Sequence, residues 1–461
     1  MGAAVNPVLQ PAAVHRCPAI LVVAPASGQG KTTVACALAR LHTRQGRRVR
    51  VFKCGPDFLD PFWLALASGA PVHQVDLWMT GEADCRARLH AAAGDADLLI
   101  IEGVMGLFDG QPSAADLARL LGLPVLAVVD ASAMAGTFGA LAFGLQHYAP
   151  GLRWAGVLAN RVASERHAQM LQDGLRAPED WQGALMRNAA LALPERHLGL
   201  TAAHEVGDAM ARLDAAADAL AATPLGRMDQ VALQRLAVDF APVGSLAPTP
   251  RWLAGTTVAV ARDAAFCFLY SANLDTLQDL GARLVFFSAL HDAALPACDA
   301  LWLPGGYPEL HAQQLADNLS LRDSVAAHVQ AGKPVWAECG GMMVLFDRIT
   351  RADGQSLPQW GLLPGSVTMH QRLAALGPQQ LALAGEVLRG HTFHYSTSAT
   401  PLVPVAHSTR PGAPGVAVEP LFQHGAIRAS YFHAWFASNP RATAALFSRA
   451  PLRPEAKHDA H

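Results

Sequence analysis

ILVVAPASGQGKTTVACA, residues Ile20 to Ala37, passes from a run of strand-forming residues through a loop of small residues into the start of a helix. A loop of that kind is a phosphate cradle. Its successive backbone N–H groups and the positive end of the helix face an anion, Lys31 adds a charge, and the Thr32 hydroxyl is able to ligate magnesium. The position five before Gly30 is Pro25, and Ala24, one place earlier, stands where the first glycine of the strict pattern belongs, so the loop is a divergent P-loop. A plain glycine turn is the alternative, and the order strand, GKTT, helix argues against it. Gly28, Gly30, Lys31, Thr32 and Thr33 are the residues assigned to the nucleotide.

A chain of 461 residues is long enough for two or more domains, each with its own core. With 35 basic and 37 acidic residues the net charge is −2, and no long like-charge run interrupts the sequence, so the footprint of a nucleic-acid binder is missing. Seven scattered cysteines without a C-x-x-C pair suit neither a zinc site nor a disulfide framework, and a reducing cytoplasm fits them best. Residues 1–16 lack the basic start and apolar core of a signal peptide. The most apolar span, Leu120 to Leu145, is interrupted by Pro124 and Asp130 and reads as a buried strand followed by a helix rather than a membrane span.

Short apolar runs recur at helix-length intervals after the loop: 48–53 (RVRVFK), 95–102 (DADLLIIE), 124–130 (PVLAVVD) and 154–160 (WAGVLAN). Such alternation predicts an α/β domain over 17–240 with a parallel sheet covered on both faces, whose chemistry lies at the carboxyl ends of the strands. Two of those ends carry acids beside glycines, KCGPDFLDP (53–61) and EGVMGLFDG (102–110). Magnesium keeps several waters, so Thr32 with Asp57 and Glu102 suffices to hold it. Lys53 is placed to neutralise a transferring phosphoryl group, and Asp60 and Asp109 either orient the acceptor or are solvated loop acids.

Together APASGQGKTT, KCGPDFLDP, EGVMGLFDG and PERHLGL (194–200) resemble the synthetase half of the cobyrinic acid a,c-diamide synthase family, whose ATP-binding fold is shared with dethiobiotin synthetase. The family usually shows KPGPDY where this chain has Lys53-Cys54-Gly55-Pro56-Asp57-Phe58; the last change removes a hydroxyl. By the same resemblance Asn160 reads the nucleotide base, with a turn-capping role as the alternative.

From Ala203 to about Arg251 the pattern is helical and alanine-rich, and APVGSLAPTPRW then marks a joint at 241–254. A second α/β domain is expected over 255–445. Its strands are 257–261, 283–287 and 300–304, the last closing on GGYPEL, and PVWAECGGMM (334–343) sets Cys339 at a sharp strand-to-helix corner. A helix N-terminus there favours the thiolate, while Gly340 and Gly306 offer N–H groups to an oxyanion. His391, His394 and His433 are the candidate bases, and His433 in SYFHAWF is the best of them. His391 and His394 have a spacing that could hold a metal, but neither a cysteine nor a third acidic ligand is near in sequence. Tyr270 and Asn273 read equally as site, core or cap residues, and residues 457–461 as a disordered tail.

This half resembles a class I glutamine amidotransferase domain of the cobyrinic acid synthase type, with a flavodoxin-like sheet. Ordinary members carry a glutamate two places after the histidine; here Trp435 stands there, so the resemblance implies a Cys339–His433 pair and a slow, substrate-gated glutaminase. The same family setting puts His391 and His394 in a wall near the corrin substrate or the domain interface. The function implied is ATP- and glutamine-dependent amidation, through acyl phosphates, of the a and c carboxylates of cobyrinic or hydrogenobyrinic acid in cobalamin biosynthesis. It implies ATP and Mg²⁺ as cofactors, small-molecule partners alone (a corrin tetracarboxylate, glutamine, ATP), no membrane, and an oligomeric state open between monomer and homodimer. A nickel-sirohydrochlorin a,c-diamide synthase uses similar motifs, and a nucleotide-switched binding protein of the MinD or ParA type is the reading from another class.

Overall fold

The apolar run ahead of the phosphate loop becomes β1 (His15–Val23), the central strand of a parallel sheet, with its side chains turned alternately to two cores. Ile20 and Val22 pack under α1 (Lys31–Arg44), while Ala19, Leu21 and Val23 enter the core on the opposite face. The computed structural model describes residues 13–196, 199–200, 203, 206–244, 249–383 and 385–449. They fall into two compact units, Met1–Leu246 and Ala247–His461. The stretch PERHLGL lies only partly within the described residues, and the tail at 457–461 lies outside them.

In the first unit β2 (Val49–Cys54), β3 (His73–Val75), β4 (Leu98–Glu102), β5 (Pro124–Asp130), β6 (Arg153–Val162) and β7 (Trp181–Met186) join β1 in the order β3-β2-β4-β1-β5-β6-β7. All of these pairings are parallel. Their register sets Lys53 opposite Glu102, Glu102 opposite Val22, and Asp130 opposite Asn160, so four strand ends meet at the loop after β1. The helical expectation over 203–251 is corrected in part. Helices Ala209–Ala221 and Gln230–Arg235 give way to a strand, Ala237–Phe240, which pairs antiparallel with the start of β1 because Ala237, Val238 and Phe240 bury while Asp239 stays in solvent.

The second unit opens with five parallel strands. In sheet order they are Arg283–Phe287, Thr257–Ala261, Ala300–Leu303, Val335–Glu338 and Ile427–Ser430. Numbered along the chain that order is 2-1-3-4-5, the flavodoxin-like arrangement. An antiparallel extension then runs through Ala413–His424, Ala406–Arg410, Ala375–Leu383 and Glu386–His394 to a last strand, His433–Trp435. Residues 346–424, inserted between the fourth and fifth parallel strands, supply most of this extension and a separate four-stranded sheet. Among the described residues no helix is long and apolar enough to cross a membrane.

Candidate active sites

The loop after β1 begins its helix from Gly30, held at φ +94°. That left-handed conformation suits glycine, and a Cβ there would lie 2.1 Å from Asn160 Nδ2, so any side chain would displace Asn160 from the loop. Asn160 donates to Gln29 O (2.9 Å), and Gln29 Oε1 accepts from Asp130 N (2.8 Å), so Gln29 ties the loop to the ends of β5 and β6. Lys31 Nζ donates to Ala26 O (3.2 Å) and Met105 O (2.7 Å). Burial lowers its pKa, and the neighbouring Lys53 lowers it further. Gly28, at φ +76°, lies on the exposed side of the loop, and Thr33 sits half-buried in the first turn of the helix.

Behind the loop runs a chain of polar contacts. Thr32 Oγ1 donates to Glu102 Oε1 (2.6 Å), the same oxygen lies 3.0 Å from Lys53 Nζ, and Lys53 Nζ bonds Asp60 Oδ2 at 2.6 Å. Burial alone would lower the Lys53 pKa; the charges of Asp60, Glu102 and Asp57 outweigh it and hold the ammonium above its ordinary value. Burial pushes Glu102 up to about 7 and Asp57 up to about 6, with Asp60 adding to both shifts and Lys53 opposing them. Asp57 Oδ1 accepts from Leu59 N (2.7 Å) and Asp60 N (3.1 Å), which starts the helix Asp60–Ser68. Asp109 Oδ2 accepts from Gly106 N at 2.7 Å and closes its own turn.

Among the described residues no three His, Cys, Asp or Glu side chains group closely enough to hold a metal. A magnesium ion needs less. Glu102 Oε2 is buried with no hydrogen-bond partner, on a carboxylate already bonded to the Thr32 hydroxyl. Hard oxygens of that kind fit an ion that takes its remaining ligands from water and phosphate.

In the second unit the chain turns at Cys339 with φ +46° and ψ −108°, a strained conformation for a residue with a Cβ. Cys339 N donates to Ser430 O (2.8 Å) on the neighbouring strand. The helix that follows, Gly340–Met343, has a single turn, so the expected thiolate is not favoured at rest: burial, and then the charge of Glu309, push the thiol pKa up. Glu309 is itself pushed up to about 7 by burial. The Gly305–Gly306 loop packs against His433 and against Gly340, the residue after Cys339. A Cβ on Gly340 would come within 3.0 Å of Gly306 N, and one on Gly305 within 2.4 Å of His433 Cε1.

His433 is buried, and burial, followed by the charges of His391 and His394, holds its pKa well below the ordinary value, which favours the neutral ring. Its ring stacks on His391 with centroids 5.0 Å apart. His391 is kept neutral by burial, with a pKa lowered to about 3, and Tyr270 OH lies 3.3 Å from its Nδ1. His394 pairs with Glu419 (3.0 Å) and stacks on Tyr431. Both rings are therefore buried inside the second unit beside His433. Asn273 is a brace, with Nδ2 donating to Ala434 O (2.8 Å) and Oδ1 accepting from Phe436 N (2.8 Å). Sequence reading passed over Gln29, Glu419 and Glu338. Gln29 sits in the quoted loop and Glu338 directly precedes Cys339, whereas Glu419 lies 25 residues from His394 and gives no local signal.

Residues 20–200 match the CobQ/CobB/MinD/ParA nucleotide binding domain family, and residues 257–441 the CobB/CobQ-like glutamine amidotransferase domain family. A hydrogenobyrinate a,c-diamide synthase of Pseudomonas aeruginosa is 56% identical over 435 residues, 94% of this chain and 98% of the relative. One of Stutzerimonas stutzeri is 56% identical over 94% of this chain and 99% of its own. A cobyrinate a,c-diamide synthase of Herminiimonas arsenicoxydans is 51% identical over 93% of this chain and 96% of its own.

Proposed function

The chain belongs to the family of hydrogenobyrinate and cobyrinate a,c-diamide synthases, and from that membership we propose the roles its two sites play in an ATP- and glutamine-dependent amidation. The enzyme is a carbon–nitrogen ligase of cobalamin biosynthesis that converts the a and c carboxylates of hydrogenobyrinic or cobyrinic acid to amides. The observation that carries this reading is the Cys339 elbow on the same chain as a phosphate loop backed by Lys53, because a protein that only switches with nucleotide has no use for a thiol on a strained strand-to-helix corner in the same unit as a buried, neutral histidine.

In the first unit, the N–H groups from Gly28 to Thr33 and the Lys31 ammonium grip the phosphates of ATP, with Asn160 beside the base. A carboxylate oxygen of the corrin attacks the γ-phosphorus, ADP leaves, and a mixed acyl phosphate remains. Lys53 offsets charge on the transferring group. Asp60 holds that ammonium, and Asp109 shapes the turn facing Lys31. Thr32 and Glu102, with Asp57 nearby, would hold Mg²⁺, which supplies charge neutralisation to the phosphates.

In the second unit His433 takes the Cys339 proton, and the thiolate attacks the carboxamide carbon of glutamine while the Gly306 and Gly340 N–H groups receive the oxyanion. The proton passes to the departing nitrogen, ammonia leaves, and water cleaves the thioester to glutamate. Ammonia then displaces phosphate from the acyl phosphate. Seven buried, free cysteines suit a reducing cytoplasm, and the working enzyme is this chain alone or as a homodimer.

The test supplies ATP and glutamine with metal-free, cobalt or nickel macrocycle acids side by side. The expected result is glutamate and ADP formed in step with two added amides on hydrogenobyrinic or cobyrinic acid. Turnover only on the nickel sirohydrochlorin, or none that depends on a macrocycle, contradicts the reading.

A further inference from the structure

Among the described residues the last strand, His433–Trp435, pairs on one side only, with Glu386–His394. Its other edge is closed by side chains. The Ala434 carbonyl accepts from Asn273, and the Ala434 N–H donates to Glu338 Oε1 at 3.1 Å. Glu338 is the residue before Cys339, and the same oxygen accepts from Trp336 Nε1 at 2.7 Å. Glu338 also stands opposite Ser430, whose carbonyl holds the Cys339 N–H. One carboxyl therefore joins the strand that ends in the nucleophile to the peptide that follows the base.

We infer that Glu338 is the positioning residue of the glutaminase site, fixing His433 relative to Cys339 through the Ala434 peptide. This takes over, by way of the backbone, the orienting task that a carboxylate two places after the histidine performs on the ring in ordinary triads, where this chain has Trp435. The inference rests on the assignment of Cys339 and His433 as nucleophile and base. Two further observations favour it over a packing role. Glu338 is 2% exposed, and a carboxyl so deeply buried costs free energy that an apolar residue of the same size avoids. Asn273 already braces the Ala434 carbonyl, yet it lies on the helix Ser271–Asp279 and its side-chain hydrogen bonds go to Ala434 and Phe436, not to the strand that ends in Cys339.

Glu338→Met, Glu338→Asp and Glu338→Gln separate the possibilities, each assayed with glutamine and with free ammonia as the nitrogen source. Glu338→Met removes the acceptor, and kcat with glutamine should fall about 100-fold, the scale of a 1 Å misplacement, with KM for glutamine and the ammonia-supported rate unchanged. Glu338→Asp retracts the acceptor by one methylene and should share that loss. Glu338→Gln keeps an oxygen for both N–H groups and should recover most of kcat. Full kcat in Glu338→Met or Glu338→Asp, a rise in KM alone, or a Glu338→Gln as impaired as Glu338→Met overturns the inference. If Glu338→Met does not fold, which a collapse of its ammonia-supported rate reveals, the Asp and Gln variants decide. A Cys339→Ala variant that still hydrolyses glutamine would instead remove the assignment on which the inference stands.

Discussion

Lys53 is enclosed by acids in a way that makes it matter for stability as well as for the phosphoryl transfer proposed for it. Its ammonium is 2.6 Å from Asp60 and 3.0 Å from Glu102, and both it and Glu102 are almost fully buried. Removing one partner of such a group leaves charge without compensation, so Lys53→Met should cost about 3–5 kcal/mol of stability near neutral pH. The sign of the pH dependence follows from Glu102, whose carboxyl is raised from 4.5 to about 7. The folded protein then binds a proton that the unfolded chain releases, so the carboxyl is least costly below pH 4.5 and most costly above 7. Without Lys53 that shift grows, and the deficit in urea unfolding should be larger at pH 8 than at pH 5. An equal deficit at both values would show that Glu102 and Asp60 do not depend on Lys53. Of this cluster, Lys53, Asp57, Asp60 and Glu102 were legible in the sequence as acids and a lysine at strand ends. Their hydrogen bonds were not, because which oxygen of Asp57 is spent on capping depends on the turn it makes.

The parallel strands and the helices between them announce themselves at the level of the element, since strands buried on both faces are continuous apolar runs. Thr257–Ala261 and Pro124–Asp130 lie where their composition puts them. The antiparallel insertion does not. Ala375–Leu383, ALGPQQLAL, contains Gly377 and Pro378 and buries only Gln379 and Leu381, so its sequence resembles a turn. With that insertion unread, His391 and His394 could be named as candidates, but neither the stacking of His391 on His433 nor Glu419 as the partner of His394 was legible, for all three stand on it. The two glycine loops give a contrast between the units. Gly305→Ala would drive a Cβ against the His433 ring and should abolish glutamine-supported amidation while the ammonia-supported reaction persists. Gly30→Ala would strike Asn160 and should abolish both. The same pattern of loss in both variants, read by corrinoid amide formation, would mean that the two loops do not serve separate steps.

For the whole molecule the division of labour follows from chemistry that cannot share one site. Phosphoryl transfer needs cations and phosphate-binding N–H groups, the task proposed for the residues around Lys31, Thr32 and Lys53. Releasing ammonia from glutamine needs a thiol and a neutral base, and Cys339 and His433 are both held uncharged by burial. The phosphate loop at 24–33 by itself is compatible with a kinase, a switch or a transport ATPase; the cysteine elbow some 300 residues later selects a carboxylate as the phosphoryl acceptor. The most direct measurement is amidation of hydrogenobyrinic acid by Cys339→Ala, with ATP and either glutamine or ammonia. Cys339→Ala should give no product and no glutamate with glutamine, and amide formation at the wild-type rate with ammonia. Loss of both reactions in a folded Cys339→Ala protein, or continued use of glutamine, would contradict this division of labour.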